Sequence, residues 1–422
     1  MQLTSQLPVT RGGRPRMSRR EDWTTVGLAA WLIVGLFVDG WAHNTTPNLE
    51  TFFTPWHALF YSGFAATAAW VVWSVICRIP PGQRAGLRGT TGLLGSNGLL
   101  GSSGRLGSTG LLGRAGREVI ADAVPVGYGY ALAGLVVFGI SGLGDLTWHQ
   151  IFGIEQNIKA LLSPTHLGLV TGAFLIVTAP ARSQAASTSP GPDSRPGNAT
   201  LAAGPGASPG PGASAAPAAT APPPAIVSVT LASCLIGFIL QQWNPLENNP
   251  ATYDSAFGAL QIQGGVAEYL LATIFLFGPL LWLAQRWRLP FLAPAVLIGV
   301  QAVLIQAMIG LPAPGLAGLG VLGGLAVGGL AVAIGPGPGS AVRNRVFMTV
   351  APPVFWLIAV IGIASPAGPG LGWEPEVWGG SVVWSALVGL GMTLLSPTLS
   401  PTAPRAGDPS CGPTAPVDAV PS

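Results

Sequence analysis

Asp39-Gly40-Trp41-Ala42-His43, followed by Glu50 and then by Thr54-Pro55-Trp56-His57, decides how the rest of this chain is read. It occurs again in altered form as Asp145-Leu146-Thr147-Trp148-His149, then Glu155, then Ser163-Pro164-Thr165-His166. Each copy runs Asp-x-x-x-His, an acidic residue, and Ser/Thr-Pro-x-His. The chain has 4 histidines, and all of them fall within these two copies. On a helix, the spacing of four puts Asp and His on one face, one turn apart. Ser or Thr suits a helix N-cap and Pro the first helical position, so the last His of each copy opens a new helix. A helix N-terminus disfavours positive charge, which leaves that imidazole neutral and able to bind a metal. Each copy therefore predicts a helical hairpin with its polar residues at one end.

Composition says what surrounds these hairpins. Of 422 residues, 49% are hydrophobic and only 8% charged, against about 25% charged in soluble domains. Several apolar runs exceed the ~18–20 residues needed to cross a bilayer. The expected fold is all-α, a polytopic membrane protein of about ten transmembrane helices, with the lipid bilayer as its main partner. A net charge of +3 with no basic, aromatic-interleaved cluster gives no sign of nucleic-acid binding. Three scattered cysteines, Cys77, Cys234 and Cys411, suggest neither a disulfide framework nor a thiolate site.

Read in order, residues 1–22 form an arginine-rich tail. Residues 23–181 form a four-span metal-site unit of two repeated hairpins, interrupted by a Gly-rich loop over 82–117 that contains Gly92-Leu93-Leu94-Gly95 and its degenerate repeats. Residues 182–224, rich in Pro, Ala, Gly and Ser, read as a linker, 225–396 as a six-span unit, and 397–422 as a tail. With the N-terminus in the cytoplasm, the only lysine, Lys159, is also the only basic residue on the outer side. The positive-inside rule then places both termini in the cytoplasm and the duplicated motif at the extracytoplasmic face. The abundance of Gly, Ala, Pro and Arg suggests a bacterial cell membrane.

If the hairpins pack together, Asp39, His43, Glu50, His57, Asp145, His149, Glu155 and His166 converge, enough for one binuclear site or two mononuclear ones. Imidazole with carboxylate suits copper, zinc or iron, and ligand type alone does not choose. The bland alternative is an interfacial polar cap, but an acid within a span is a functional candidate by default. Glu50 and Glu155 are weaker than the rest, since their offsets from the preceding His differ by one residue. Gln241, Gln242, Trp243, Glu247 and Asp254 echo the motif faintly and read as an outer loop; Glu268 is a weaker candidate partner for the ligands.

Asp145-Leu146-Thr147-Trp148-His149-Gln150, and Phe53-Thr54-Pro55-Trp56-His57 with Phe60 and Tyr61, resemble the metal-binding stretch of the C subunit of particulate methane and ammonia monooxygenases. That subunit has Asp-x-x-x-His on one span and Thr-Pro-x-His at the start of the next. The resemblance implies copper as cofactor, with Asp39, His43 and His57 as ligands in one copy and Asp145, His149 and His166 in the other. It is local. This chain has two such stretches where the family has one, no histidine after His166, and no cupredoxin-like domain. Metal binding carries over better than alkane or ammonia oxidation. The expected function is an integral membrane metal-binding protein with oxygen-dependent redox chemistry on a small apolar or lipid substrate. Metal acquisition, sensing or delivery, and a structural role for the metal, stand as alternatives. Partner membrane subunits or a homo-oligomer are left open.

Overall fold

A computed structural model of the chain describes residues 14–46, 52–81, 83, 114–153, 162–188, 218–247, 249–252 and 259–396. These are all-helical apart from turns, two short 3₁₀ segments and an isolated bridge between Thr220 and Arg288. The helices are α1 (Arg19–Thr45), α2 (Pro55–Ile76), α3 (Arg114–Ala123), α4 (Gly129–Phe152), α5 (Pro164–Val177), α6 (Ala179–Thr188), α7 (Pro223–Ile239), α8 (Ala259–Ala284), α9 (Leu292–Met308), α10 (Pro314–Ile334), α11 (Ala341–Ala364) and α12 (Pro375–Leu395). Each of the ten apolar runs expected from the sequence is helical. Eight candidate spans are long and apolar enough to cross a membrane, α5 and α6 counting together as one of them. The protein is a multi-pass helical membrane protein.

The two shorter apolar helices, α7 and α9, have 17 residues each, or about 25 Å at 1.5 Å per residue. They are also the best covered, with most residues of α7 buried. Other helices turn bulky apolar side chains outward, as α4 does with Val136, Ile140 and Leu143, each at least 60% exposed. In water such a face is a liability; against acyl chains it is a solvated surface.

Several boundaries differ from the sequence reading. Helix α1 begins at Arg19, inside the expected tail, because Ser18 and Glu21 form a reciprocal capping box. Helix α3 begins at Arg114, within the expected Gly-rich loop. Helix α6 runs past the expected linker start at 182. The Gln184 amide donates to buried Asp22 at 2.5 Å, and Arg16 donates to the Ala186 carbonyl at 3.2 Å. Asp22 also accepts from the Tyr128 hydroxyl at 2.8 Å, so α1, α6 and the start of α4 are tied together at the end of the bundle opposite the duplicated motif.

The two halves of the chain share a core. Leu32, Phe37, Phe60, Phe138 and Leu169 from the first half pack with Leu235, Phe238, Ile305 and Met308 from the second. Phe37 and Phe238 meet edge to face at 5.3 Å. Within each hairpin the backbones nearly touch. A Cβ on Gly63 falls 2.8 Å from the Leu32 Cα, and one on Gly172 falls 2.7 Å from the Phe138 nitrogen. Both glycines lie six residues after the helix-opening His, at His57 and His166. Small residues at such crossings let helices pack where no water drives them together.

Gly63→Leu is therefore expected to lower the thermal midpoint of the purified protein strongly, since the neighbour is backbone and cannot yield. Gly27→Leu, with no atom within 4 Å of its Cβ, should leave the midpoint nearly unchanged. Equal effects in a thermal melt would contradict the crossing described.

Candidate metal centre

Four helix ends build the site. Asp39 and His43 lie on the last turns of α1, and Asp145 and His149 on the last turns of α4. His57 and His166 lie in the first turns of α2 and α5. There Thr54 and Ser163 are the N-caps, and each hydroxyl accepts from the backbone N–H of the His three residues on. Pro follows each cap. The cap does a second job. Thr54 Oγ1 lies 2.9 Å from His57 Nδ1, and Ser163 Oγ lies 2.6 Å from His166 Nδ1. One hydroxyl thus starts the helix and fixes the ring of the residue that opens it.

Asp39, His43 and His57 present ligand atoms within 4.8 Å of one another, and so do Asp145, His149 and His166. In the first group His43 Nε2 is 3.8 Å and His57 Nδ1 3.6 Å from the Asp39 carboxylate. In the second, His149 Nε2 is 3.5 Å and His166 Nε2 3.2 Å from Asp145 Oδ1. The groups adjoin. The rings of His57 and His149 lie 6.3 Å apart.

The second group is held more firmly. The Tyr61 hydroxyl, from the other hairpin, donates to Asp145 Oδ2 at 3.0 Å, and Thr165 donates to Oδ1 at 3.2 Å. The Asp145 and His149 side chains are each 2% exposed. His149 Nδ1 is 3.1 Å from the Gly153 carbonyl. A carbonyl only accepts, so Nδ1 is the donor, and in the neutral ring that tautomer leaves the lone pair on Nε2. Nε2 has no hydrogen-bond partner, and neither does Asp39 Oδ1 in the first group. Buried polar atoms are almost always paired. Two buried atoms without partners, at the focus of imidazoles and carboxylates, fit a cation. The donor set fits a borderline transition metal better than calcium or magnesium, which take oxygen ligands.

All six residues line one cavity of about 260 Å³. Its other wall is apolar and includes Phe60, Leu169 and Ala173, together with Leu235, Phe238 and Met308 from the second half of the chain. Phe52 stacks on His57 at 5.0 Å and lies 6.0 Å from His149, bridging the groups.

The six Asp and His candidates thus come together. Glu50 and Glu155 lie outside the described residues. Glu268 does not line the cavity; it lies near Glu247 instead, and burial followed by that second carboxylate raises the Glu247 carboxyl to about 7. The sequence reading missed Tyr61, Thr165 and Gln241 as members of the site. Tyr61 stands four residues after His57, one turn along the same face, which was a usable local signal. Gln241 lines the cavity only because α7 packs against the hairpins, and nothing local announces that.

Compared with known proteins, the chain matches no family model, no curated protein and no solved structure.

Tyr61→Phe removes a donor to the Asp145 carboxylate without touching a ligand. Loss of such an orienting partner typically costs about 10–100-fold in metal affinity. Zn²⁺ titration of the purified variant should show one of two affinities lowered about ten-fold and the other unchanged. An unaltered titration would remove Tyr61 from the site.

Proposed function

We propose that the protein is a copper-binding membrane protein that holds two ions side by side at its extracytoplasmic face, and that the adjoining cavity brings a small apolar or lipid substrate to oxygen-dependent redox chemistry. The observation that carries this reading is the meeting of Asp39, His43 and His57 with Asp145, His149 and His166 on one half-apolar cavity. Zinc and iron suit the same donors; the resemblance of both stretches to a copper-binding subunit favours copper. Bound copper supplies one-electron exchange and reaction with oxygen.

The chain's own residues account for the rest. Thr54 and Ser163 orient the imidazoles. Tyr61 and Thr165 fix the Asp145 carboxylate, so that its charge faces the ion and not a random water. Phe60, Phe238 and Met308 keep the opposite wall dry. A ligand in the cavity therefore has an apolar side to lie against and an ionic side to face.

Metal acquisition, sensing or delivery is the second reading. It is favoured by His43 and His166, whose side chains are 24% and 25% exposed and leave each group approachable from the rim. Against transport, the opposite end of the bundle offers the fully partnered Asp22 and no second ligand set among the described residues.

Elemental analysis separates the possibilities. Wild-type protein supplied with copper is expected to carry two ions per chain, one for each group, and a His57→Ala, His166→Ala double variant to retain less than a tenth of that. Equal metal in both proteins ends the site assignment. Loaded wild type given a reductant should consume oxygen faster than the double variant. Metal bound without that consumption leaves acquisition, sensing or delivery.

A further inference from the structure

Two side-chain amides that the metal reading does not use line the cavity, Asn44 and Gln241; Asn44 already donates to the Met308 carbonyl at 3.5 Å. Gln241 sits in the 3₁₀ turn Gln241–Trp243 that follows α7, on the wall across from the ligands' own hairpins. Its side chain is buried, the residue being 7% exposed, and its carbonyl oxygen has no hydrogen-bond partner. Buried polar atoms are almost always paired. Leu235, Phe238, Ile239 and Met308 line the same cavity. The turn is fixed from below: Asn244 N–H donates to the backbone carbonyl of Gln241 at 3.0 Å, and the Gln306 side chain donates to the backbone carbonyls of Leu246 and Glu247 at 2.8 and 2.7 Å. The backbone is therefore set, while the terminal amide torsion of a glutamine stays soft.

We infer that the cavity is a binding site for a small apolar alcohol or phenol, whose hydroxyl bonds to Gln241 and whose hydrocarbon body lies between Phe238 and Met308 and the metal ligands. A hydroxyl is both donor and acceptor, so it satisfies an amide whichever end is turned to it; a ketone or an ether meets only the amine end. The size follows from volume. A cavity of ~150 Å³ accommodates benzene, and by the same ratio about 260 Å³ accommodates roughly ten non-hydrogen atoms. A full phospholipid is excluded as an enclosed ligand; a short-chain alcohol or a substituted phenol is not. The inference rests on the proposed function in one respect, that the ligand's far end faces bound metal. The occupancy of the cavity does not depend on it.

The test uses full-length protein in nanodiscs, metal-free and Zn²⁺-loaded, with 1-hexanol and n-hexane as probes and the shift of the thermal midpoint as readout. Wild type is expected to bind the alcohol about ten-fold more tightly than the alkane, after correction for each probe's partition into the lipid. Gln241→Leu should abolish that preference and leave alkane binding unchanged. Ala173→Ile, which fills the cavity from α5, should weaken both probes. If Gln241→Leu keeps the preference, or if wild type shows none, the inference is overturned. If Ala173→Ile alters neither, the probes bind elsewhere and the inference is likewise overturned. A preference present in metal-free protein that fails to load Zn²⁺ would sustain the alcohol site while removing the metal centre, so the two failures are distinguishable.

Discussion

Asp145 is the residue on which the arrangement turns. A carboxylate inside an apolar bundle costs about 2.5–3.5 kcal/mol even by lenient insertion scales. Here it is met by Tyr61 from one hairpin and Thr165 from another helix, with His149 and His166 beside it. Hydrogen bonds to charged groups contribute roughly 1.5–3 kcal/mol each, so two of them offset the burial. The important consequence is directional. The Tyr61 hydroxyl reaches Asp145 only if α2 lies against α4, so the requirement to satisfy one buried acid holds the two hairpins face to face. That contact also brings His57 within 6.3 Å of His149.

Close approach has its own requirement, and glycine meets it. Gly63 and Gly172 let the backbones of each hairpin touch, and Gly40 makes room for side chains of the second half. A Cβ there would fall 2.7 Å from the Phe238 ring and 3.1 Å from the Met308 sulfur. Gly40 lies directly after Asp39. The position next to a ligand is therefore where α7 and α9 press in and close the apolar wall. The second half of the chain carries no histidine, yet without it the site would open to lipid on that side.

What the sequence revealed follows the range of the interactions involved. Asp39 with His43, and Asp145 with His149, are legible because i and i+4 is a local relation. Thr54-Pro55 and Ser163-Pro164 are legible because capping is local too. The capping box Ser18-Arg19-Arg20-Glu21 was equally local, and the arginines around it concealed it as a tail. The extent of α6 was not legible, since Gln184 is held by Asp22, 162 residues earlier. Gln241, Phe238 and Met308 belong with it: each lines the cavity through tertiary packing, and no motif spacing encodes that. Glu50 and Glu155, plausible on charge alone, fall outside the described residues.

Although built to one plan, the two groups are not equal. Asp145 has donors of its own and is 2% exposed; Asp39 has an unpartnered oxygen and is 13% exposed. A carboxylate already satisfied by protein is held in one orientation before any ion arrives, which is preorganisation in its simplest form. One lacking donors gains most of its compensation from the ion itself. In the proposed metal centre the second group is thus a prepared site and the first one a site completed by occupancy. The two groups line one cavity, so in the proposed centre a cation held by one acts on the carboxylate of the other. The energetics of the pair are therefore coupled through the same few ångströms that the Tyr61 hydroxyl holds closed.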